Sequence, residues 1–236
     1  MILVVKFMAE IFSKNDWIMI WNYKDTFILG FLNTLETAVV GIVLSLIIGI
    51  IIGLMGTSYN KFFRMINRIY VEVIQNTPLL LQLCVFYYIL AFSGYKVSVL
   101  FAGIISLGIY HGAYMAEVFR AGISSIPKGQ FEAATSQGFN YVQKMYYIIL
   151  PQSIKIILPP MVNQIVNLIK NTSCLYIIGG SDLISLTYNF VTGSTTGGAY
   201  APAYIVCGIL FFIICFPLST LATIWENRLK KKDVMA

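Results

Sequence analysis

The sequence predicts an all-α integral membrane protein with five transmembrane helices, from its composition, its long apolar runs and the positions of its basic residues. Of the 236 residues, 58% are hydrophobic and only 11% are charged, whereas about 25% of the residues in a soluble domain are charged. A water-soluble fold could not cover this much apolar surface. The composition therefore excludes a soluble globule, a disordered chain and a nucleic-acid-binding protein, although the net charge is +6.

Five apolar runs are long enough to cross a membrane, which takes about 20 mostly apolar residues. Three are free of charge except for a histidine in the third, the fourth contains Lys170, and the fifth precedes the basic C-terminus. The runs cover residues 37–60, 73–95, 97–116, 156–180 and 202–225. They leave too little chain for a folded soluble domain.

The N-terminal residues 1–12 are apolar but short, and they lack the basic start and small-residue cleavage site of a signal peptide. We interpret them as a helix in the membrane interface, with aromatic anchors at Trp17, Trp21 and Tyr23. The alternative is a cleaved segment or a sixth span. The expected parts of the chain are an extracytoplasmic or interfacial segment (1–26), a transmembrane domain (27–228) and a basic cytoplasmic tail (229–236).

The basic residues predict the orientation, because Lys and Arg collect on the cytoplasmic side of a membrane protein. With five spans, most of the 16 basic residues fall on the side of the C-terminus; they are Lys61, Arg64, Arg68, Arg120, Lys128, Lys144, Lys155, Arg228, Lys230, Lys231 and Lys232. The opposite side receives Lys6, Lys14, Lys24 and Lys96. We therefore expect the N-terminus outside and the C-terminus inside.

The cytoplasmic connection at about 124–152 is too long for a simple turn and has the pattern of two short helices. The first follows Pro127 and ends at Gly138, the residue type that most easily takes a left-handed C′ conformation. Asn140 and Gln143 resemble a capping box that starts the second helix, and Pro151 is expected to end it. Two such helices would lie across the cytoplasmic end of the bundle.

This connection resembles the EAA loop of ABC importer permeases. The pattern begins with Glu132-Ala133-Ala134 and continues with Gly138, four residues after Ala134. After nine more residues it ends with Ile148-Ile149-Leu150-Pro151. From Gly30 to about Trp225 the chain resembles the polar amino acid permease branch, through segments 76–82, 128–134 and 167–173 and through Glu117 with Arg120. It departs from that branch at Asn171, where Asp is usual, so no role of that carboxylate carries over.

The resemblance implies a type I ABC importer permease fold in the bacterial cytoplasmic membrane. It also implies that the chain works with separate partner subunits. In the family, the EAA loop is a coupling helix that docks on a separate ATPase subunit, an extracytoplasmic binding protein delivers the solute, and two permease chains form the pathway as a homodimer or heterodimer. Here the coupling residues would be Gln130, Glu132, Ala133, Ala134, Gly138, Leu150 and Pro151.

The chain has no Gly-x-x-x-x-Gly-Lys-Ser/Thr motif for holding nucleotide phosphates. We therefore expect no enzymatic activity and no cofactor in this chain, and we expect the partner subunit to use ATP and magnesium. No metal site is expected either, because the chain has one histidine and the four cysteines lack ligand spacing.

Polar residues within the spans predict a solute pathway, because polar groups inside a membrane face protein or water. In the second span they follow one helix stripe, and Pro78 frees the carbonyl of Ile74 beside it. In the fourth span they recur at i, i+4, i+7 and i+8. The candidates are Glu72, Gln75, Asn76, Thr77, Gln82, Asn163, Asn167, Lys170, Asn171 and Ser173. The alternative is hydrogen bonding that only holds the helices together.

Three further ionisable residues have local interpretations. Glu117 and Arg120, three residues apart, are expected to form an ion pair, and His111 is expected to pack between helices. In the resting state we expect Glu72 or Glu117 to face Lys170.

The expected solute is a neutral or acidic polar amino acid such as glutamine, glutamate or cystine, because Lys170 would favour a carboxylate. The alternatives are a permease of the same superfamily for another solute, such as phosphate or methionine, and a secondary transporter. A secondary transporter would more naturally have inverted repeats and about twice the number of spans.

Overall fold

The computed structural model describes residues 13–193 and 198–234, and the regular structure of those residues is entirely helical. We number the α-helices in chain order. They are α1 (Lys14–Asn22), α2 (Lys24–Thr57), α3 (Lys61–Gln75), α4 (Leu79–Phe92), α5 (Val99–Ser124), α6 (Lys128–Ser136), α7 (Tyr141–Lys144), α8 (Leu150–Asn171), α9 (Leu183–Thr192) and α10 (Tyr200–Val234). A π-helix (Met145–Ile149) precedes α8 and a 3-10 helix (Thr172–Ile178) follows it.

Four helical segments in the described residues are long and apolar enough to cross a membrane, and the bent pair of α3 and α4 provides a fifth span. The four segments are Lys24–Thr57, Val99–Ser124, Tyr141–Ile178 and Tyr200–Leu229. The all-α fold with five spans is therefore confirmed. The predicted boundaries are less accurate, because α2 begins thirteen residues before its charge-free run and includes the exposed Glu36.

The short helix α1 precedes the first span, and the aromatic residues expected at the membrane interface lie on it and at the residue that follows it. Trp17, Trp21 and Tyr23 are all exposed, and the ammonium of Lys24 lies 4.7 Å from the centre of the Trp21 ring. Such amphipathic side chains suit the headgroup level. The interfacial helix predicted for residues 1–12 lies outside the described residues.

Helices α2 and α5 form the central pair of the bundle, and small residues bring their backbones together. A methyl group added at Gly53 of α2 would lie 2.8 Å from the carbonyl oxygen of Ala116 on α5. Ala113, Met115 and Ala116 of α5 are fully buried. Helices in lipid associate through such close packing, because burial of apolar groups gives little advantage there.

The second span is broken, which contradicts the prediction of one continuous helix. Helix α3 ends at Gln75, α4 begins at Leu79, and their axes differ by 96°. The chain leaves the helix at Asn76 and Thr77 instead of only bending, and Pro78 cannot donate a backbone hydrogen bond that would continue the helix. The single stripe predicted for Glu72, Gln75, Asn76 and Gln82 is therefore wrong.

The fourth span is longer than predicted, since the helix after Asn140 does not end at Pro151. Helix α7 continues through the π-helix Met145–Ile149 into α8, which carries Pro151 in its first turn. A proline inside an α-helix clashes with the carbonyl four residues before it, and a wider π turn relieves that crowding. The predicted end of the second short helix is therefore wrong.

Helix α9 is fixed to α2 by polar contacts at its start. Asp182 is buried and accepts hydrogen bonds from the Ile184 and Ser185 backbone, which caps α9. The amide of Leu183 donates to Thr34 at 3.0 Å, and the Asn33 side chain donates to the Ser181 carbonyl at 2.8 Å. These contacts place the connection between α8 and α10 beside the first span.

Candidate functional site: a two-helix corner and a polar helix face

Residues 128–144 form a corner of two short helices, which we call the coupling corner. At the end of α6, the amide of Gly138 donates to the Thr135 carbonyl at 3.0 Å and the amide of Phe139 donates to the Ala134 carbonyl at 3.1 Å. This pair of bonds is a Schellman motif. Gly138 has φ +82°, so it is left-handed as predicted.

The start of α7 is closed by the predicted capping box. The side chain of Asn140 accepts from the Gln143 amide at 2.9 Å, and the Gln143 side chain accepts from the Asn140 amide at 3.0 Å. Two of the unpaired amides at the helix start are therefore satisfied within four residues. The backbone on each side of the turn is closed by local hydrogen bonds.

One face of the coupling corner packs on the bundle and the other is open. Ala134 is buried, and Met145 and Ile149 join Ile123, Ile126 and Ile157 in one apolar cluster. The exposed candidates are Gln130, Glu132, Ala133, Gly138 and Pro151, while Leu150 is half-buried. An open, mixed polar and small-residue face is suited to docking another protein.

The polar face predicted on α8 is exposed over most of its length. Asn163, Asn167 and Lys170 are exposed, while Asn171 at the edge of the face is half-buried. The Asn171 amide nitrogen lies 3.1 Å from Nε2 of His111, which is 1% exposed on α5. The structure therefore brings Asn171 to a neighbouring helix and leaves the other three side chains uncovered by the described part of this chain.

At the break between α3 and α4, the polar side chains hydrogen-bond to the freed backbone. Asn76 donates to the Glu72 carbonyl at 2.7 Å, and Thr77 donates to the Val73 carbonyl at 2.9 Å. The Gln82 amide donates to the Ile74 carbonyl at 2.9 Å. The carbonyl that Pro78 frees thus accepts a hydrogen bond from Gln82.

Other predicted pathway residues make helix contacts. Gln75 of α3 donates to the Ala113 carbonyl of α5 at 3.3 Å, and Ser173 donates to the Lys170 carbonyl at 2.7 Å. Tyr70, which sequence reasoning did not single out, donates to the Ile109 carbonyl at 2.6 Å. The contacts of Gln75 and Tyr70 hold α3 on α5, and no pattern in the sequence reveals that pairing.

Both glutamates expected near Lys170 are paired elsewhere. Glu117 and Arg120 form an ion pair with nitrogen–oxygen distances of 2.5 and 2.8 Å. Glu72 pairs with Arg68 at 2.7 Å. The expectation that one of these carboxylates faces Lys170 in this state is therefore wrong, because each has a basic residue one helical turn away.

The chain combines five spans, the second of them broken, with an exposed two-helix corner and an uncovered polar helix face. This combination is the architecture of a membrane permease subunit. The sequence of residues 41–231 matches the family described as the binding-protein-dependent transport system inner membrane component. The match covers most of the chain, and this protein belongs to that family, the permease components of ABC importers.

Individual relatives agree with this assignment. The probable glutamine ABC transporter permease protein GlnM of Bacillus subtilis (strain 168) is 40% identical over 202 residues, which are 86% of this chain and 92% of that protein. The probable glutamine ABC transporter permease protein GlnP of the same organism is 34% identical over 92% of this chain and 96% of its own length.

A solved structure gives the same fold. A chain in the crystal structure of an amino acid ABC transporter with histidines superposes with a TM-score of 0.80 and 32% identity, covering 89% of this chain and 97% of that chain. The overall fold of this chain is therefore also found in a solved amino acid ABC transporter.

Proposed function

We propose that this chain is the permease subunit of an ABC importer that carries a polar amino acid, neutral or acidic, across the bacterial cytoplasmic membrane. The observation that carries the proposal is 40% identity, over nearly the whole chain, to a protein named as a probable glutamine permease. Glutamine is the first solute to test. Glutamate and cystine, which also present a carboxylate and no cationic side chain, come next.

The proposed driving force is ATP hydrolysis by a separate ATPase subunit, with magnesium as its metal. The exposed face of the coupling corner, with Gln130, Glu132 and Ala133, supports this docking role. We further propose that an extracytoplasmic binding protein delivers the solute and that a second permease chain covers the polar face of α8. Three exposed polar side chains in a membrane span require such a cover or water.

The proposed orientation has the N-terminus outside and the coupling corner inside. The excess of Lys and Arg on the side of the corner supports it. In a variant without the four native cysteines, single cysteines at Gly129 and Tyr95, both exposed, should react with an impermeant maleimide from opposite sides of sealed vesicles. Labelling of both from one side contradicts the topology.

Lys170 is proposed to contact the solute carboxylate along the pathway. Lys170→Met keeps the length of the side chain and removes its charge, so we expect assembly with the ATPase to persist and transport to weaken by about 1–3 kcal/mol in the solute interaction. The measurement is uptake against glutamine concentration. Lys155→Met, at an exposed position of the same helix, is the control. Wild-type rate and half-saturation in Lys170→Met contradict the assignment.

The deciding experiment is uptake by the complete complex in proteoliposomes, with labelled glutamine, glutamate, cystine, arginine, methionine and phosphate. We expect ATP-dependent uptake of glutamine that requires the binding protein. ATP-dependent uptake of methionine or phosphate alone would agree with the proposed importer function and refute the proposed solute class. Uptake driven by a proton gradient without ATP would refute the importer.

A further inference from the structure

Lys144 is a basic residue inside the coupling corner that the family motif does not use. It lies on α7 and is only 7% exposed, although lysine is among the residues least often buried. Its ammonium nitrogen lies 2.6 Å from the hydroxyl oxygen of Thr135, in the last turn of α6. The side chain therefore spans from the second helix of the corner to the end of the first.

The geometry of this contact assigns the donors. The Thr135 hydroxyl donates its own hydrogen to the Phe131 carbonyl at 2.7 Å, so its oxygen is available to accept from the ammonium of Lys144. A hydrogen bond from a charged donor is about twice as strong as one between neutral groups. Neither the ion pair Arg68–Glu72 nor the ion pair Arg120–Glu117 includes Lys144.

The ammonium of Lys144 lies beside the C-terminal end of helix α6. Helix α6 ends at Ser136, and the unpaired carbonyls of a helix C-terminus carry partial negative charge. Lys144 reaches this end from across the turn at Gly138, so its charge and the hydrogen bond to Thr135 act together. The Schellman motif and the capping box already set the backbone at the turn, and Lys144 adds a side-chain link between the two helices.

We propose that Lys144 is a positioning residue for coupling: its ammonium, held on Thr135, fixes the angle between α6 and α7. This fixes the direction in which α6 presents its exposed face, with Glu132 and Ala133, to the ATPase subunit. The proposal rests on the proposed importer function, because the docking partner is that ATPase. A movement produced by ATP hydrolysis can be transmitted to the membrane spans only if the docked helix α6 keeps a fixed angle to the span that follows α7.

The experiment compares Lys144→Met and Thr135→Val in the complete complex. Each variant removes one side of the contact and retains approximate size. Thr135 is exposed, so Thr135→Val leaves the apolar cluster intact. We expect roughly a tenfold loss of solute transported per ATP hydrolysed in each, as for one charge-assisted hydrogen bond. The double variant should lose no more than either single variant, since the two residues form one contact.

Matched controls separate this role from general stability. Ser136→Ala removes a neighbouring hydroxyl that donates to the Glu132 carbonyl, and Lys155→Met removes an exposed lysine of α8; both should keep the wild-type ratio. Thr135→Ser restores the hydroxyl and should restore coupling. A lower unfolding temperature with an unchanged transport-to-ATP ratio, or additive losses in the double variant, overturns the proposal.

A second readout does not depend on transport. In the purified full-length permease, Lys144→Met and Thr135→Val should each increase hydrogen exchange at the Gly138 and Phe139 amides by roughly tenfold, while Lys155→Met leaves it unchanged. Unchanged exchange in both variants overturns the positioning role. If the wild-type complex transports no solute with ATP, the importer function fails, and exchange still decides whether Lys144 sets the corner.

Discussion

The chain turns sharply between helices at Gly138 and at Pro78, and the two turns satisfy their backbone groups in different ways. At Gly138, the amides of Gly138 and Phe139 donate back to carbonyls three and five residues earlier. At Pro78, the side chain of Gln82 reaches back eight residues to the carbonyl of Ile74. The first turn uses mainly backbone bonds and the second uses side chains.

The environment of the two turns accounts for the difference. Helix α3 packs on the middle of α5, where Tyr70 contacts Ile109 and Gln75 contacts Ala113, so we expect the turn that follows to lie within the membrane. Water cannot hydrogen-bond to freed carbonyls there, and protein groups must do so. The corner at Gly138 is exposed, and water can complete whatever the Schellman motif leaves open.

The largest effect in this comparison is expected for Gln82→Leu. The variant removes donors to the Ile74 carbonyl at 2.9 Å, the Thr77 carbonyl at 3.2 Å and the Thr77 hydroxyl at 2.6 Å. Removing these hydrogen bonds from part-buried acceptors should destabilise the protein by about 1–3 kcal/mol. Thermal unfolding of the purified complex measures it. Gln152→Leu is the control, since Gln152 is exposed and donates to a carbonyl of the helical segment before α8; equal losses in both variants contradict the comparison.

A smaller effect is expected for Gly138→Val. No atom lies within 4 Å of an added Cβ at Gly138, so the cost comes only from the left-handed backbone, at about 1–2 kcal/mol. The loss should appear as weaker ATPase association and uptake, with normal insertion of the spans. Gly129→Val is the control, because Gly129 is equally open but has an ordinary helical backbone. Wild-type docking by the Gly138 variant removes the reason to regard this turn as a coupling element.

The smallest effect is expected for Pro78→Ala. The bend should persist, because Asn76, Thr77 and Gln82 still bond to the freed carbonyls and Leu79 and Leu83 remain buried. We expect a loss of at most about 1 kcal/mol, mainly from greater freedom of the unfolded chain. Spin labels at the exposed Ile69 and Ile89 measure the angle through their separation. A longer separation in the variant shows that Pro78 itself holds the bend.

The coupling corner was more predictable than the solute pathway for a physical reason. Its turn depends on Gly138 and on Asn140 with Gln143, whose hydrogen bonds each span six residues or fewer and are visible in a short window of sequence. The contact of Lys144 with Thr135 was not foreseen, although both residues lie in that same window, because lysine is ordinarily an exposed residue.

The pathway residues depend on long-range packing. The sequence assigned Asn171 to the same polar face as Asn163 and Asn167, but the structure brings it to His111, 60 residues away. Glu72 and Glu117 were expected near Lys170 and instead pair within one helical turn. Helical periodicity gives the direction of a side chain but does not identify which helix lies opposite it.

The sequence by itself determined that this protein is a helical bundle of five membrane spans with an exposed turn at Gly138 between two capped helices, because hydrophobicity, proline, glycine and caps act locally. Only the tertiary structure decided that the second span breaks by 96°, that α7 continues through a π turn into α8, and which helices face each other. These outcomes depend on the pairing of freed backbone groups and on the close packing of helices distant in sequence. No local pattern contains that information.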